Sequence, residues 1–175
     1  MGQRLNIEIW NEGKRLANAY YHWSGYSFST LYETMKIIKA RENNMDKVYE
    51  LDAIHLLEVT GAGLSDNSLK IATKKYPDEH FKACTGRNNG LLAIDEKDMD
   101  EIRRWGEARS EIHFDTETII LDTFYTVDED GEYIDSCVIE IKFSDLKGLI
   151  ELCIKAMNNR TYKIDWKALK LGMTE

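Results

Sequence analysis

Proline is nearly absent from this chain of 175 residues: Pro77 is the only one, and no tract is rich in serine or glycine. Flexible linkers and disordered tails are built from those residue types, so the composition argues against both. No apolar run approaches the roughly 18 residues of a membrane span. The N-terminus also does not have the basic and then apolar order of a signal region. We therefore expect one soluble, non-secreted domain that covers residues 1–175.

Cysteine is scarce as well, and the motifs that hold metals or cofactors are missing. Cys84, Cys137 and Cys153 are odd in number, widely spaced and without a CxxC pair, which is typical of reduced cytosolic thiols. His80 and Cys84 stand four apart, but no second ligand pair accompanies them, as structural zinc requires. A GxGxxG or GKS/GKT phosphate loop does not occur. We predict no metal and no cofactor.

Catalytic motifs are also missing. A GxSxG nucleophile elbow does not occur. Carboxylates are so frequent that choosing any two of them as a catalytic pair would be arbitrary. His113 lies between Glu111 and Asp115 in a predicted strand, where a carboxylate can hydrogen-bond its ring. The sequence therefore predicts a protein that is not an enzyme.

A strand pattern opens the chain. Every second residue is aliphatic at Leu5, Ile7 and Ile9, the period of a half-buried strand. A second strand pattern follows the turn at Gly13. A three-residue loop ending on Gly13 pairs Ile7 with Ala17 and Leu5 with Ala19, and it keeps one face apolar. We predict this hairpin over about residues 3–23.

A second hairpin is predicted over about residues 116–143, with its loop at residues 129–131. A loop with Gly131 last keeps one face apolar. It pairs Ile119 with Ile141, Leu121 with Ile139 and Thr123 with Cys137. Helical spacing and capping residues predict four to five helices, beginning near residues 30, 46, 65, 95 and 144. The fold class is therefore α+β, with a mainly antiparallel sheet built from the two hairpins and packed with these helices.

Charge is distributed unevenly along the chain. The formal net charge is −8, which opposes nonspecific binding to nucleic acid or anionic membranes. Residues 95–145 contain seventeen acidic and five basic residues, whereas the remainder contains fourteen and eighteen. This asymmetry is usually that of a solvated face, and the alternative is a side built to meet a basic partner.

Two groups of carboxylates dominate the acidic segment. The first is on the outer face of the predicted helix after Asp95, at Glu96, Asp98, Asp100 and Glu101, with Met99, Ile102 and Trp105 on the inner side. The second is at the tip of the second hairpin, at Asp128, Glu129 and Asp130. An acidic binding surface requires both groups to lie on one continuous side of the molecule.

Aromatic residues are concentrated between the first hairpin and the first helix. Six of the eighteen lie within thirteen residues, at Tyr20, Tyr21, Trp23, Tyr26, Phe28 and Tyr32. One interpretation is that they are core residues whose polar groups find hydrogen bonds. The other is that they form a patch facing a partner, because tyrosine and tryptophan are enriched at interface hot spots. Trp10 and Tyr26 are the candidates for exposed apolar anchors.

The opening MGQRLNIEI, with LANAYYHWSGYS behind it, resembles the start of small proteins encoded by bacteriophages and other mobile elements. Compact acidic proteins from such genomes include anti-CRISPR inhibitors. The resemblance covers about the first forty residues and implies a phage or prophage origin, and hence the cytoplasm of a host cell.

The leading hypothesis is a non-enzymatic inhibitor that binds a host defence protein, such as a CRISPR effector nuclease. Its acidic surface would occupy a groove that normally holds nucleic acid. The alternatives are a protein that sequesters a nucleotide immune signal and a phage accessory protein without inhibitory activity. The nucleotide alternative would use aromatics for base stacking and Lys70, Lys74, Lys75 and Arg87 for phosphates. The sequence does not indicate an oligomeric state.

Overall fold

The fold is α+β, as predicted, and its centre is one mixed sheet of seven strands. A computed structural model describes residues 4–22, 27–41, 47–86, 90–123, 126–127, 133–134, 137–145 and 148. The strands in these ranges are β1 (Leu5–Asn11), β2 (Lys14–Tyr21), β3 (Ala62–Leu64), β4 (Gly90–Ala93), β5 (Ala108–His113), β6 (Thr118–Thr123), β7 (Thr126–Val127), β8 (Tyr133–Ile134) and β9 (Cys137–Lys142). The α-helices are α1 (Ser27–Arg41), α2 (Glu50–Glu58), α3 (Asp66–Lys75) and α4 (Glu96–Arg103).

The sheet is mixed, so the prediction of a mainly antiparallel sheet made from two hairpins is wrong. The strand order is β3-β4-β2-β1-β5-β6-β9, and the β1/β5 and β3/β4 pairs are parallel. Parallel neighbours need a long crossover, which α3 provides between β3 and β4. Strand β5 joins the two hairpins into one sheet by pairing with β1 on one side and β6 on the other. Local periodicity does not reveal such long-range pairings.

The first hairpin has a different register from the predicted one. Its turn contains two residues, Glu12 and Gly13, both with positive φ, at 51° and 73°. This is the geometry of a type I′ turn, whose twist matches that of the strands. The register then shifts between Ile9 and Trp10, because β2 contributes an extra residue at this β-bulge. The bulge corrects the parity, so Ile7 pairs with Ala19 and the apolar residues still share one face.

The second hairpin has the predicted register. Strand β6 pairs with β9 through Ile119 with Ile141, Leu121 with Ile139 and Thr123 with Cys137. The short pair β7/β8 continues the hairpin, with Val127 opposite Tyr133. The predicted loop at residues 129–131 lies outside the described residues.

The two faces of the sheet carry different side chains. One face, called here the apolar face, holds Leu5, Ile7, Ile9, Ala17, Ala19, Ile112, Ile119 and Leu121, all buried. Helix α1 packs over β5 and α2 packs over β2, where the two alanines allow a close approach. The opposite face, called the polar face, carries Asn6, Glu8, Trp10, Arg15, Asn18, Tyr20, Arg109, Glu111, His113 and Asp122. Helix α4 packs over β2 and β4 on that side.

Helix ends follow the expected capping chemistry in part. Ser65 Oγ accepts a hydrogen bond from Ser68 N at the start of α3, as the sequence predicts. Asp95 occupies the N-cap of α4 without a side-chain capping bond. Only three of the residues from the predicted helix start at Ser144 onward are described, and two of them end a 3₁₀ turn over Phe143–Asp145. Within the described ranges, no helix is both long and apolar enough to cross a membrane.

Candidate functional site

Helix α4 is the element that carries the predicted acidic residues, and it lies on the polar face of the sheet. Met99 and Ile102 are its buried residues, and they form a small cluster with Ala93 that Tyr20 and Leu91 flank. This cluster is separate from the main core on the apolar face. Burying two such side chains contributes about 1.5–3 kcal/mol each.

Two buried asparagines connect the sheet to the backbone of α4. Asn18 Nδ2 donates to Met99 O at 3.1 Å, and Asn6 Nδ2 donates to Arg103 O at 3.3 Å. The Oδ1 atoms of both side chains are buried without a hydrogen-bond partner in the described part of the chain. Gly106 follows the helix closely, and a Cβ there would lie 2.0 Å from Asn6 Nδ2. The close packing of Asn6 therefore requires glycine at this position.

Glu8 lies at the centre of the polar face and is fully buried. Trp10 Nε1 donates to Glu8 Oε2 at 2.9 Å, and Arg15 Nη1 donates to Glu8 Oε1 at 3.2 Å. Arg103 Nε from α4 is 3.5 Å from the same Oε1. A buried carboxylate is tolerated only when its charge is paired and hydrogen-bonded in this way.

Arg15 connects this buried carboxylate to α4. Arg15 Nη2 forms an ion pair with Asp100, and only 9% of the Arg15 side chain is exposed. Burial disfavours its charge, but the Asp100 hydrogen bond and the charge of Glu8 outweigh burial and raise the pKa of Arg15. The same hydrogen bond lowers the pKa of Asp100 below its usual range. Arg15 therefore links Glu8 on the sheet to Asp100 on the helix, and these contacts hold one side of α4 against the sheet.

The polar face continues as ion pairs across β5 and β6. Arg109 lies between two carboxylates. Its Nε is 3.1 Å from Glu111 Oε1, and its Nη2 is 3.4 Å from Asp122 Oδ2. The Nε contact is an ion pair without a hydrogen bond, since Arg109 Nε is buried and has no hydrogen-bond partner in the described part of the chain. His113 Nε2 is 3.0 Å from Glu111 Oε2, which confirms the predicted carboxylate contact. These carboxylates are neutralised by their neighbours, so they do not contribute to an acidic surface.

The structure brings four of the predicted acidic site residues together on α4. Glu96 and Glu101 are exposed and form no ion pair within the described ranges. Asp98 accepts a hydrogen bond from Asn67 Nδ2 at 2.8 Å, and Asp100 is paired with Arg15. The predicted residues of the hairpin tip, Asp128, Glu129 and Asp130, lie outside the described residues, as does Tyr26.

Trp10, predicted as an exposed anchor, is held by contacts within the protein. Its indole N–H is bonded to Glu8, and its ring stacks on His113 with centroids 5.6 Å apart. Of the two tryptophans that the structure describes, the exposed one is Trp105, which the helical pattern places on the inner side of α4. It retains 41% of its surface and contacts Tyr20 edge to face at 5.5 Å. The helix ends at Arg103 and a tight turn follows, so the helical pattern does not extend to Trp105.

The lysines of the nucleotide-binding alternative give it little support. Lys75 Nζ is bonded to Glu50 Oε1 at 2.9 Å, so its charge is already paired. Lys70 and Lys74 are exposed on the same short helix, and Arg87 lies outside the described residues. The described residues include no group of three or more His, Cys, Asp or Glu arranged to hold a metal ion.

Comparisons of the chain with protein-family models, with curated protein sequences and with solved structures produced no match.

Proposed function

We propose that the protein is a non-catalytic binding protein that uses the outer face of α4 to occupy a basic surface of a partner. The partner class that fits is a host defence protein with a nucleic-acid-binding groove, such as a CRISPR effector nuclease. This partner class comes from the resemblance of the N-terminal residues to phage proteins. The binding chemistry comes from α4.

The observation that carries the proposal is the arrangement of α4 itself. The helix is held by directional contacts from Asn6, Asn18 and Arg15. Glu96 and Glu101 are exposed and form no ion pair with the described residues. Carboxylates on a fixed helix lose little freedom on binding, which favours affinity. An unpaired surface charge also speeds the encounter with an oppositely charged groove.

Within the described residues, part of the acidic segment is paired internally and is left out of the surface that we propose. Glu107, Glu111 and Asp122 belong to the acidic segment, but each is paired with an arginine. Asp100 is paired with Arg15 and thereby holds α4 against the sheet. Its replacement would change binding through the position of the helix. The surface that we propose therefore consists of Glu96, Asp98 and Glu101.

The direct test uses a purified CRISPR effector nuclease with its guide RNA and measures displacement of target DNA. The wild-type protein should compete with the DNA, and the double variant Glu96→Lys/Glu101→Lys should compete about tenfold less well or worse. Asp115→Lys/Glu117→Lys is the matched control, because it reverses two exposed charges of the same acidic segment on the β5–β6 turn.

Equal loss of competition in the two variants would show that net charge matters and the α4 face does not. Full competition by the α4 variant would remove the proposal. If the wild-type protein displaces no DNA from any nuclease tested, then nucleases are excluded as the partner class.

A further inference from the structure

The two outer strands of the seven-stranded sheet have different neighbours. Beside β3, Leu64 N donates to Lys82 O at 2.7 Å, and Cys84 N donates to Leu64 O at 2.8 Å, so the chain at 82–84 covers that edge. At the other edge, β9 pairs with β6 and, within the described ranges, with no other strand. Unpaired backbone groups on such an edge can pair with a strand of another chain.

The direction of the β9 backbone groups follows from the bond at the end of the β6/β9 ladder. Phe143 N donates to Glu117 O at 2.8 Å, one position beyond the last residue pair of the two strands. Hydrogen-bonded and non-bonded positions alternate along an antiparallel ladder, so Lys142 does not bond toward β6. Val138, Glu140 and Lys142 therefore direct their N–H and C=O groups toward the outer edge.

The side chains at these three positions lie on one face of the sheet and are exposed. Val138 retains 54% of its surface, and Glu140 and Lys142 are also exposed. Outer strands that carry charges of one sign repel a second copy of themselves. On β9, a carboxylate and an ammonium group stand two residues apart, and they can complement each other across a two-fold axis.

We infer that β9 is a self-association edge, where a second copy of the chain adds its own β9 in the antiparallel direction. This inference does not depend on the proposed function. The sheet faces stay matched only if even-numbered residues lie opposite even-numbered residues. With Ile141 on the two-fold axis, Glu140 of each copy lies opposite Lys142 of the other, and their outward backbone groups bond each other.

Charge selects this register over its neighbours. A shift of one step in one direction sets Glu140 opposite Glu140, and a shift in the other direction sets Lys142 opposite Lys142. Like charges directly opposite each other are destabilising, whereas opposite charges contribute favourably. The register with Ile141 on the axis places two opposite-charge pairs at the centre of the interface.

The test measures the dimer dissociation constant by sedimentation over a concentration series. The wild-type chain of 20.3 kDa should form a dimer as its concentration rises. Glu140→Lys and Lys142→Glu each convert both opposite-charge pairs into like-charge pairs, so each should weaken the dimer about tenfold or more. The matched controls are Asp115→Lys and Lys70→Glu, which make the same charge changes at exposed positions outside β9 and should leave the dissociation constant unchanged.

Mixing the two edge variants tests the register. Glu140→Lys carries two positive charges on the edge and Lys142→Glu carries two negative charges, so an equimolar mixture should form a heterodimer that neither variant matches alone. The double variant Glu140→Lys/Lys142→Glu keeps opposite charges facing each other, and it should dimerise about as well as the wild type.

Each outcome supports or overturns the inference. A wild-type chain that stays monomeric at every concentration overturns it, as does a dimer that both edge variants leave unchanged. A dimer that the edge variants weaken, but that neither the mixture nor the double variant restores, overturns the register. Restored association in both, with unchanged controls, supports the inference.

Discussion

The two faces of the central sheet bury neighbouring residues by opposite means. Ile7 and Glu8 are adjacent in β1 and both are fully buried. Ile7 packs against the apolar side chains of the main core. Glu8 instead accepts hydrogen bonds from Trp10 and Arg15 and forms an ion pair with Arg103. Apolar burial drives folding without specifying direction, but ion pairs and hydrogen bonds specify the angle of approach. The polar face therefore orients α4, and the apolar face supplies most of the stability.

The largest expected effect comes from removing the carboxylate of the polar face. Glu8→Ala leaves the Arg15 and Arg103 charges and the Trp10 N–H without their buried acceptor, which should cost about 3–5 kcal/mol of unfolding free energy. Ile7→Ala on the opposite face should cost about 2–5 kcal/mol by leaving a cavity. Denaturant unfolding of both variants measures the two costs on adjacent residues.

The double variant Glu8→Leu/Arg15→Met distinguishes the two mechanisms. It removes both charges of the buried pair and keeps apolar volume, so it should recover at least half of the loss seen in Glu8→Ala. Failure to recover would mean that the ion pair contributes net stability, contrary to the comparison of the two faces.

Gly106→Ala probes the contact between Asn6 and the end of α4. The added Cβ would meet Asn6 Nδ2, whose displacement breaks its bond to Arg103 O. We expect a loss of about 1–3 kcal/mol in unfolding free energy. Gly86→Ala is the control, because a Cβ there has no neighbour within 4 Å among the described residues, and its thermal midpoint should stay near that of the wild type.

Asn18→Leu should have a smaller effect on the same interface. It loses the bond to Met99 O, but it also removes a buried Oδ1 that has no partner in the described chain. The two effects oppose each other, because the lost bond leaves Met99 O without this donor while the unpaired buried Oδ1 disappears, so we expect a change within about 1 kcal/mol. A large loss in denaturant unfolding would indicate that Oδ1 has a partner in solution.

The pH dependence gives the smallest expected effect. The Arg15 hydrogen bond lowers the pKa of Asp100, so this residue contributes stability above its unfolded pKa of about 3.9. That contribution is lost as the pH falls through the lowered folded pKa. Asp100→Asn should therefore unfold more easily than the wild type at pH 7, with the difference shrinking toward pH 2. A difference that grows at low pH would contradict the ion pair.

The sequence predicts the local parts of this fold well. Alternation identifies β1, the register of β6 with β9 follows from keeping Ile119, Leu121 and Ile141 on one face, and Ser65 is visible as a cap. The first hairpin register escapes prediction because a β-bulge and a two-residue turn together produce the same faces as a three-residue loop. Face patterns alone do not distinguish these two solutions.

The site is only half predictable for a related reason. Alternation places Glu8 and Trp10 on the outer side of β1, but residues from far along the chain, Arg103 at Glu8 and His113 at Trp10, make both structural. The spacing of α4 identifies Glu96 and Glu101 as outward residues, because this depends on one helix. Trp105 is wrongly placed on the inner side of the helix because it lies two residues beyond the helix end, where a tighter turn replaces the helical period.

The most direct measurement is the association rate constant of the protein with a basic partner, followed as a function of ionic strength. If α4 presents its charges as proposed, the wild-type rate should fall steeply with added salt. Glu96→Lys/Glu101→Lys should then associate more slowly and with a flatter salt dependence, while Asp115→Lys/Glu117→Lys stays close to the wild type. Identical rates and salt slopes for all three proteins would contradict the account.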